Sequence, residues 1–337
     1  MVRLKDIAAQ AGVSVMTVSK ALRGASDISG QTKARVQQLA QQMGYVPDSM
    51  AQGLRNRTTN LLGLVLPTIA NPVFARAAAA IEEGAHAAGY DLIMTHSLNI
   101  PEREEACIRR LLSRRVDGLF VFPVYRLGPA APIYEELWRR QTPTVILGHR
   151  APFCAQFLNV ETDDLAGSYL MTRHLLELGH REIAFLCGAS GSPWANERLE
   201  GYRRALREAS IETDDRLLFT AGSSIEEGAK AATQMINESV SMTAIQAASD
   251  LVAIGAANVF LNQGIKIPED LSIAGFGNIL LSEHFRVPLS TVRQPKFRLG
   301  VAALEMMQKL RQGERPESRR LPVELVIRTS TAHPSGS

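Results

Sequence analysis

Apolar residues in the first 46 positions recur at intervals of three and four. Leu4, Ile7, Ala8 and Ala11 share one helical face, and Val18, Ala21 and Leu22 form a second, narrower stripe. Val36, Leu39, Ala40 and Met43 repeat the spacing a third time. Gly12, Gly24 and Gly44 stand where these runs stop, and Ser14 is placed to cap the second. Two short helices around a Gly-containing turn, with a third behind them, predict a small all-α helix-turn-helix head. The narrow stripe of the second helix leaves Val15, Met16, Thr17, Ser19 and Lys20 on its outer faces. Hydroxyls and a cation there suit phosphates and base edges, and Val15 and Met16 suit thymine methyls. That is the profile of a helix presented to the major groove of double-stranded DNA.

Between the head and the next apolar run lies YVPDSMAQGLRNRTTN. Pro47 ends the third helix, and the segment 49–56 is too short to hold a helix alone in water. Taken by itself it reads as a linker over 47–59. From Leu61 the pattern changes to short apolar strands (LLGLVLP, DLIMTH, DGLFVFP, TVILGH) separated by amphipathic helices. The rhythm restarts after Val160 with EIAFLCG, LLFTAG, AIQAAS and LSIAGFG as strands. Such alternation predicts parallel sheets covered by helices, here as two doubly wound lobes, with ligands at the carboxyl ends of the strands.

Charge sharpens this division. Residues 1–60 hold eight Lys/Arg and three Asp, so the head carries +5 and the remainder −2 of a total of +3. A basic head on a mildly acidic body indicates that the head alone meets a polyanion. The N-terminus shows no signal-peptide run, no stretch approaches a membrane span, and three distant cysteines give neither a disulfide framework nor zinc spacing. A cytoplasmic protein, nucleoid-associated when on DNA, with no membrane contact and no metal or cofactor, is the expectation. The chain has no GxGxxG, GK[ST], GxSxG or HExxH, and CGASGS matches a phosphate loop only loosely, so an enzyme is not expected. An exported solute-binding protein of the same fold is the third possibility, opposed by the basic head.

The wording of the chain carries more. "LKDIAAQAGVSVMTVSKALRG" followed by "ISGQTKARVQQLAQQMGYVPD" closely resembles the DNA-binding head of the LacI/GalR family of bacterial transcription regulators. "GLVLPTIANPVFARAAAAIEEGAHAAGYDLI", "ETDDLAGSYLMTRHLLELGHREIAFL", "ERLEGYRRAL" and "AASDLVAIGAANVFLNQGIKIPEDLSIAGFG" extend the likeness over nearly the whole chain. The resemblance implies a periplasmic-binding-protein-like α/β core and a ligand-responsive regulator, most often a repressor, binding a pseudo-palindromic operator as a homodimer. It puts Val15, Met16 and Lys20 at operator-reading positions and Thr17 and Ser19 at backbone-contacting ones. It turns 47–59 into a hinge helix that orders on DNA, with Leu54 as a minor-groove wedge beside Arg55 and Arg57. The implied division is a head at 1–46, a core at 60–331 and a tail at 332–337. Within the core, one lobe takes about 60–160 plus 291–321 and the other about 161–290 plus 322–331.

For the small-molecule effector, the resemblance puts Arg198 at the family's clamping position, and Asn71, Phe74, His149, Trp194, Asp250 and Asn278 are the further candidates around the same cleft. Asn71-Pro72 also reads as a plain helix start, Trp194 as a surface aromatic, and Asp250 as a helix cap as well as a cleft acid. His180 reads as structural. Sugar-binding members of the family usually carry an Asp after the strand matching TVIL and another after the Gly-aromatic pair of AGF; here Gly148 and Gly277 stand there. With His149, Arg150 and Arg198 nearby, the expectation is an acidic sugar held by the Arg198 fork, with Trp194 as a stacking wall. A neutral sugar, or a nucleoside- or purine-like corepressor, is the alternative.

Overall fold

The computed structural model describes residues 2–46, 58–126 and 128–335. These form two compact units, one ending at Thr59 and the other beginning at Asn60. In the first, α1 (Leu4–Ala11), α2 (Val15–Leu22) and α3 (Gly30–Gln42) bury Ile7, Ala8, Ala11, Val18, Ala21, Val36 and Ala40 against one another. Gly12 turns the chain between α1 and α2 at φ +64°, its amide bonded back to the Ala8 carbonyl. Ser14 and Ser29 cap α2 and α3 by accepting from the amides of Thr17 (3.1 Å) and Thr32 (3.2 Å).

The second unit contains two six-stranded sheets. In chain order, the first lobe supplies β1 (Leu61–Leu66), β2 (Asp91–His96), β3 (Gly118–Val121), β4 (Thr144–Leu147) and β5 (Leu158–Thr162). The second supplies β6 (Ile183–Cys187), β7 (Leu218–Thr220), β8 (Ala244–Ala247), β9 (Ser272–Gly277) and β10 (Ser290–Arg293). β11 (Arg319–Leu321) then joins the first sheet, ordered β11-β5-β4-β3-β1-β2, and β12 (Glu324–Val326) the second, ordered β12-β10-β9-β8-β6-β7. All pairings are parallel except β10 with β12, where Val292 faces Leu325. Central strands such as β3 and β4 are buried throughout, as sheets covered on both faces require.

The covering helices are α4 (Pro72–Ala87), α5 (Pro101–Ser113) and α6 (Pro132–Arg139) in the first lobe, and α7 (Asp164–Glu177), α8 (Pro193–Glu208), α9 (Ile225–Asn237), α10 (Asp250–Asn262) and α11 (Leu280–His284) in the second. The last, α12 (Lys296–Arg311), packs on α4 of the first lobe. The chain therefore passes between lobes three times: at Asp163, at Gln294–Pro295 and at Pro322–Val323. The lobe boundary expected at 291 moves, because Ser290–Arg293 pairs with β9 of the second sheet and the crossing starts only at Gln294. Likewise β5 keeps the chain in the first lobe up to Thr162. Neither β5 nor β11 stands out as an apolar run; LNVET and RRL are recruited by pairing with each other.

Candidate functional site

On the head, α2 presents Val15 and Met16 to solvent, 46% and 66% exposed, while Val18 and Ala21 are fully buried behind them. Thr17 is partly engaged in the cap, its hydroxyl 2.9 Å from that of Ser14. The Ser19 carbonyl accepts from Arg23 Nε at 3.0 Å. Lys20 pairs with Asp27, whose carboxyl it holds below the ordinary aspartate range. A cation held by a surface carboxylate stays half-exposed and can exchange that partner for a phosphate or base edge. Leu54, Arg55 and Arg57 lie outside the described residues.

In the body, a cavity of about 450 Å³ opens between the lobes at the carboxyl ends of the strands. Pro67 after β1, Phe122 to Tyr125 after β3, and Gly148 and His149 after β4 line one side. Ala189, Ser190 and Ser192 after β6, Gly222 and Ser223 after β7, Ser249 after β8 and Phe276 within β9 line the other. Asn71, Phe74, His149, Trp194, Arg198 and Asp250 all border this space. Asn278 does not: its Oδ1 accepts from Arg328 at 2.9 Å and its carbonyl from Lys296. The Asn71 carboxamide oxygen caps α4 by accepting from the Val73 amide at 3.0 Å, so capping and cleft roles coincide. Phe74 packs edge-on against Phe122, centroids 4.9 Å apart, giving the first lobe an aromatic wall.

Arg198, 6% exposed, is held on every side. Its Nε and Nη2 donate to Asp164 Oδ1 at 3.1 and 2.8 Å, and Nη1 donates to the Ala248 carbonyl. Its guanidinium lies 3.7 Å from the Phe276 ring centroid and 4.7 Å from that of Trp194. The partner that fixes it, Asp164, is itself 1% exposed. Asp250 is equally committed: Ser282 and the Ile279 amide donate to Oδ2 at 2.6 and 2.9 Å, and Thr291 donates to Oδ1. Burial pushes the Asp250 pKa up against the pull of these donors and of Lys296. The helix cap foreseen for Asp250 belongs instead to Ser249, which accepts from the Val252 amide at 3.3 Å. A β-carbon at Gly277 would stand 3.3 Å from Asp250 Oδ2, so an acid at 277 would crowd this carboxylate.

His149 faces the second lobe across the cleft. Its Nδ1 is 3.6 Å from Asp164 Oδ2 and its Nε2 3.1 Å from Glu197 Oε2. The second contact brings opposite charges together without the alignment of a hydrogen bond, which leaves Nε2 a buried, unsatisfied atom. Glu197 also receives Arg320 at 2.6 Å, and these partners overcome its burial and depress its pKa to about 2. Sequence reasoning missed Asp164 and Glu227, which line the cavity, and Glu197 and Arg320, which connect to it through His149. Glu197 precedes Arg198 in NERLEG, which was a usable signal; Arg320 sits in an unremarkable strand and gave none.

A helix-turn-helix with an outward-facing second helix in one unit and a ligand-sized cleft between two lobes in the other are the parts of a ligand-sensing regulator. The description "Bacterial regulatory proteins, lacI family" matches residues 3–48 and "Periplasmic binding protein-like domain" matches residues 172–331. The HTH-type transcriptional regulator DegA of Bacillus subtilis is 32% identical over 329 residues, 97% of both chains. The HTH-type transcriptional repressor CytR of Escherichia coli K12 is 32% identical over 97% of this chain and 96% of its own. Among solved structures, the lac repressor dimer bound to operator and the anti-inducer ONPF superposes with a TM-score of 0.87 at 28% identity, covering 98% of this chain and 99% of that one. The complex of the regulator CelR with cellobiose gives 0.74 at 27%, covering 98% and 100%. The chain belongs to the LacI family.

Proposed function

We propose that the chain is a cytoplasmic, homodimeric repressor that binds a pseudo-palindromic operator and responds to a neutral, polyhydroxylated ring-shaped effector, with no catalytic activity of its own. The observation that carries the regulator reading is the pairing of the solvent-facing Val15 and Met16 on a capped helix with a ligand-sized interlobe cleft in the same chain. Leu54 is the proposed minor-groove wedge. Leu54→Ala should lower affinity for the selected operator at least tenfold and leave salt-sensitive binding to random DNA nearly unchanged. Equal losses on both DNAs in a fluorescence titration would end the wedge assignment.

Charge balance in the cleft supports the neutral effector over the acidic one. Asp164, Asp250 and Glu227 line it against Arg198 and His149, and Arg198 is already neutralised by a two-point grip on Asp164. An entering carboxylate would have to displace that grip beside two further acids. Uncharged hydrogen-bonding groups remain for hydroxyls, among them Asn71, Asn99, Ser190, Ser192 and Ser223. The cellobiose bound by CelR is a neutral sugar of this kind. A thermal-shift screen of the full chain against neutral sugars, nucleosides, sugar acids and sugar phosphates tests the assignment. Stabilisation by neutral sugars or nucleosides is the expected result; stabilisation by the acids or phosphates alone would overturn it.

A further inference from the structure

The three crossings between lobes are tied to one another by side chains. Arg320, at the end of β11 and just before the Pro322–Val323 crossing, donates to Asp163 Oδ1 at 2.9 Å in the first crossing, and to Glu161 at 3.1 Å. Gln294, in the remaining crossing, donates to Thr162 Oγ1 at 3.2 Å. Any change in the angle between the lobes must bend the chain here. From this knot a line of alternating charge runs into the cleft: Arg320, Glu197, His149, Asp164, Arg198. Only His149 and Arg320 in this line come from the first lobe, and Arg320 stays beside the crossings at any lobe angle. His149 lies out in the cleft, where its pairing depends on the lobes being closed.

We propose that His149 is a proton-operated latch between the lobes: the charged ring, lodged between Asp164 and Glu197 of the second lobe, holds the cleft closed, and the neutral ring releases it. The groups around the ring favour this use. From the second lobe it meets Asp164 of α7 and Glu197 of α8, with Arg198 behind Asp164; from its own lobe it meets Glu161 of β5 and the loop residue Tyr125, whose hydroxyl donates to the His149 carbonyl at 2.8 Å. Arg150, next in sequence, is exposed and donates to the Ala155 carbonyl. Burial by itself disfavours the imidazolium, but Glu197, Asp164 and Glu161 together outweigh it and raise the ring's pKa above the ordinary 6.5. Since the folded value is the higher one, the latch contributes fully below pH 6.5 and is lost as the pH climbs through the raised value. Consequences for operator occupancy rest on the regulator reading above; the latch itself does not, and it is measured without effector or DNA.

The test follows the histidine ring resonances and the radius of gyration of the full, ligand-free chain between pH 6 and 9. In the wild type, His149 should titrate above 6.5 and the particle should expand over the same interval. Glu197→Gln, which keeps the side-chain volume, should lower the His149 midpoint and shift the expansion to lower pH with it. His149→Gln should remove the pH dependence of the radius. A His149 midpoint at or below 6.5, a radius that does not change with its titration, or an expansion that persists in His149→Gln would overturn the latch.

Discussion

At the scale of single residues, the cleft is a set of charges that satisfy one another. Arg198 illustrates how much of a side chain's role its partners set. The likeness to a family of effector-binding proteins marks it as a clamp, yet in the folded chain it is half of a buried ion pair, stacked between Phe276 and Trp194. Truncating one member of such a pair leaves the other charge stranded in a poor solvent. Arg198→Ala should therefore destabilise the body by about 3–5 kcal/mol, while a double change of Arg198 to Leu and Asp164 to Leu should recover much of that loss. Thermal unfolding of the two variants beside the wild type decides it; a double variant no more stable than the single would show that the pair is not the source. Arg198 itself was legible in the sequence through the phrase NERLEG. Its saturation by Asp164 and Ala248 was not, because those partners lie 34 and 50 positions away along the chain.

At the scale of elements, helix pairs in the second lobe approach so closely that glycine is the only residue that fits. A methyl group at Gly255 of α10 would overlap the Ile225 carbonyl of α9, and one at Gly228 of α9 would overlap the Val252 carbonyl of α10. Gly201 stands in the same relation to the Leu165 carbonyl, between α8 and α7. Backbone cannot retreat as a flexible side chain can. Gly255→Ala should cost roughly 1–3 kcal/mol, seen as a lower denaturant midpoint with an unchanged slope. An unaltered midpoint would mean that α9 slides aside freely. The helices themselves were readable from their 3.6-residue periodicity, and the buried strands from their apolar runs. The strands β5 and β11 were not, since each is short, half polar and defined by its partner.

For the whole molecule, the prediction is that a second copy docks over exposed apolar side chains. Ile69, Met94, Leu98 and Ile100 lie on and beside the edge strand β2, and Leu280 and Leu281 lie at the start of α11; all six are 45–72% exposed. A sheet edge and an apolar patch left to water are liabilities that association removes. Sedimentation at micromolar concentration with operator present should give a dimer, and Leu280→Lys combined with Met94→Lys should shift it toward monomer; a wild-type monomer would sink the dimer reading. Among the described residues no helix is long and apolar enough to cross a membrane. The sequence by itself determined the kind of molecule: a three-helix head with an outward-facing Val15 and Met16, and an alternating α/β body. Those features are written in local periodicity, in which each residue's environment follows from its near neighbours. Tertiary structure decided the rest: which sheet receives Ser290–Arg293, that Asn278 turns away from the cleft, and that Arg198 meets Asp164 while His149 stands between two carboxylates. Charge pairing falls off with distance in space rather than along the chain, and only the folding of two lobes around three short crossings brings residues 149, 164, 197 and 320 together.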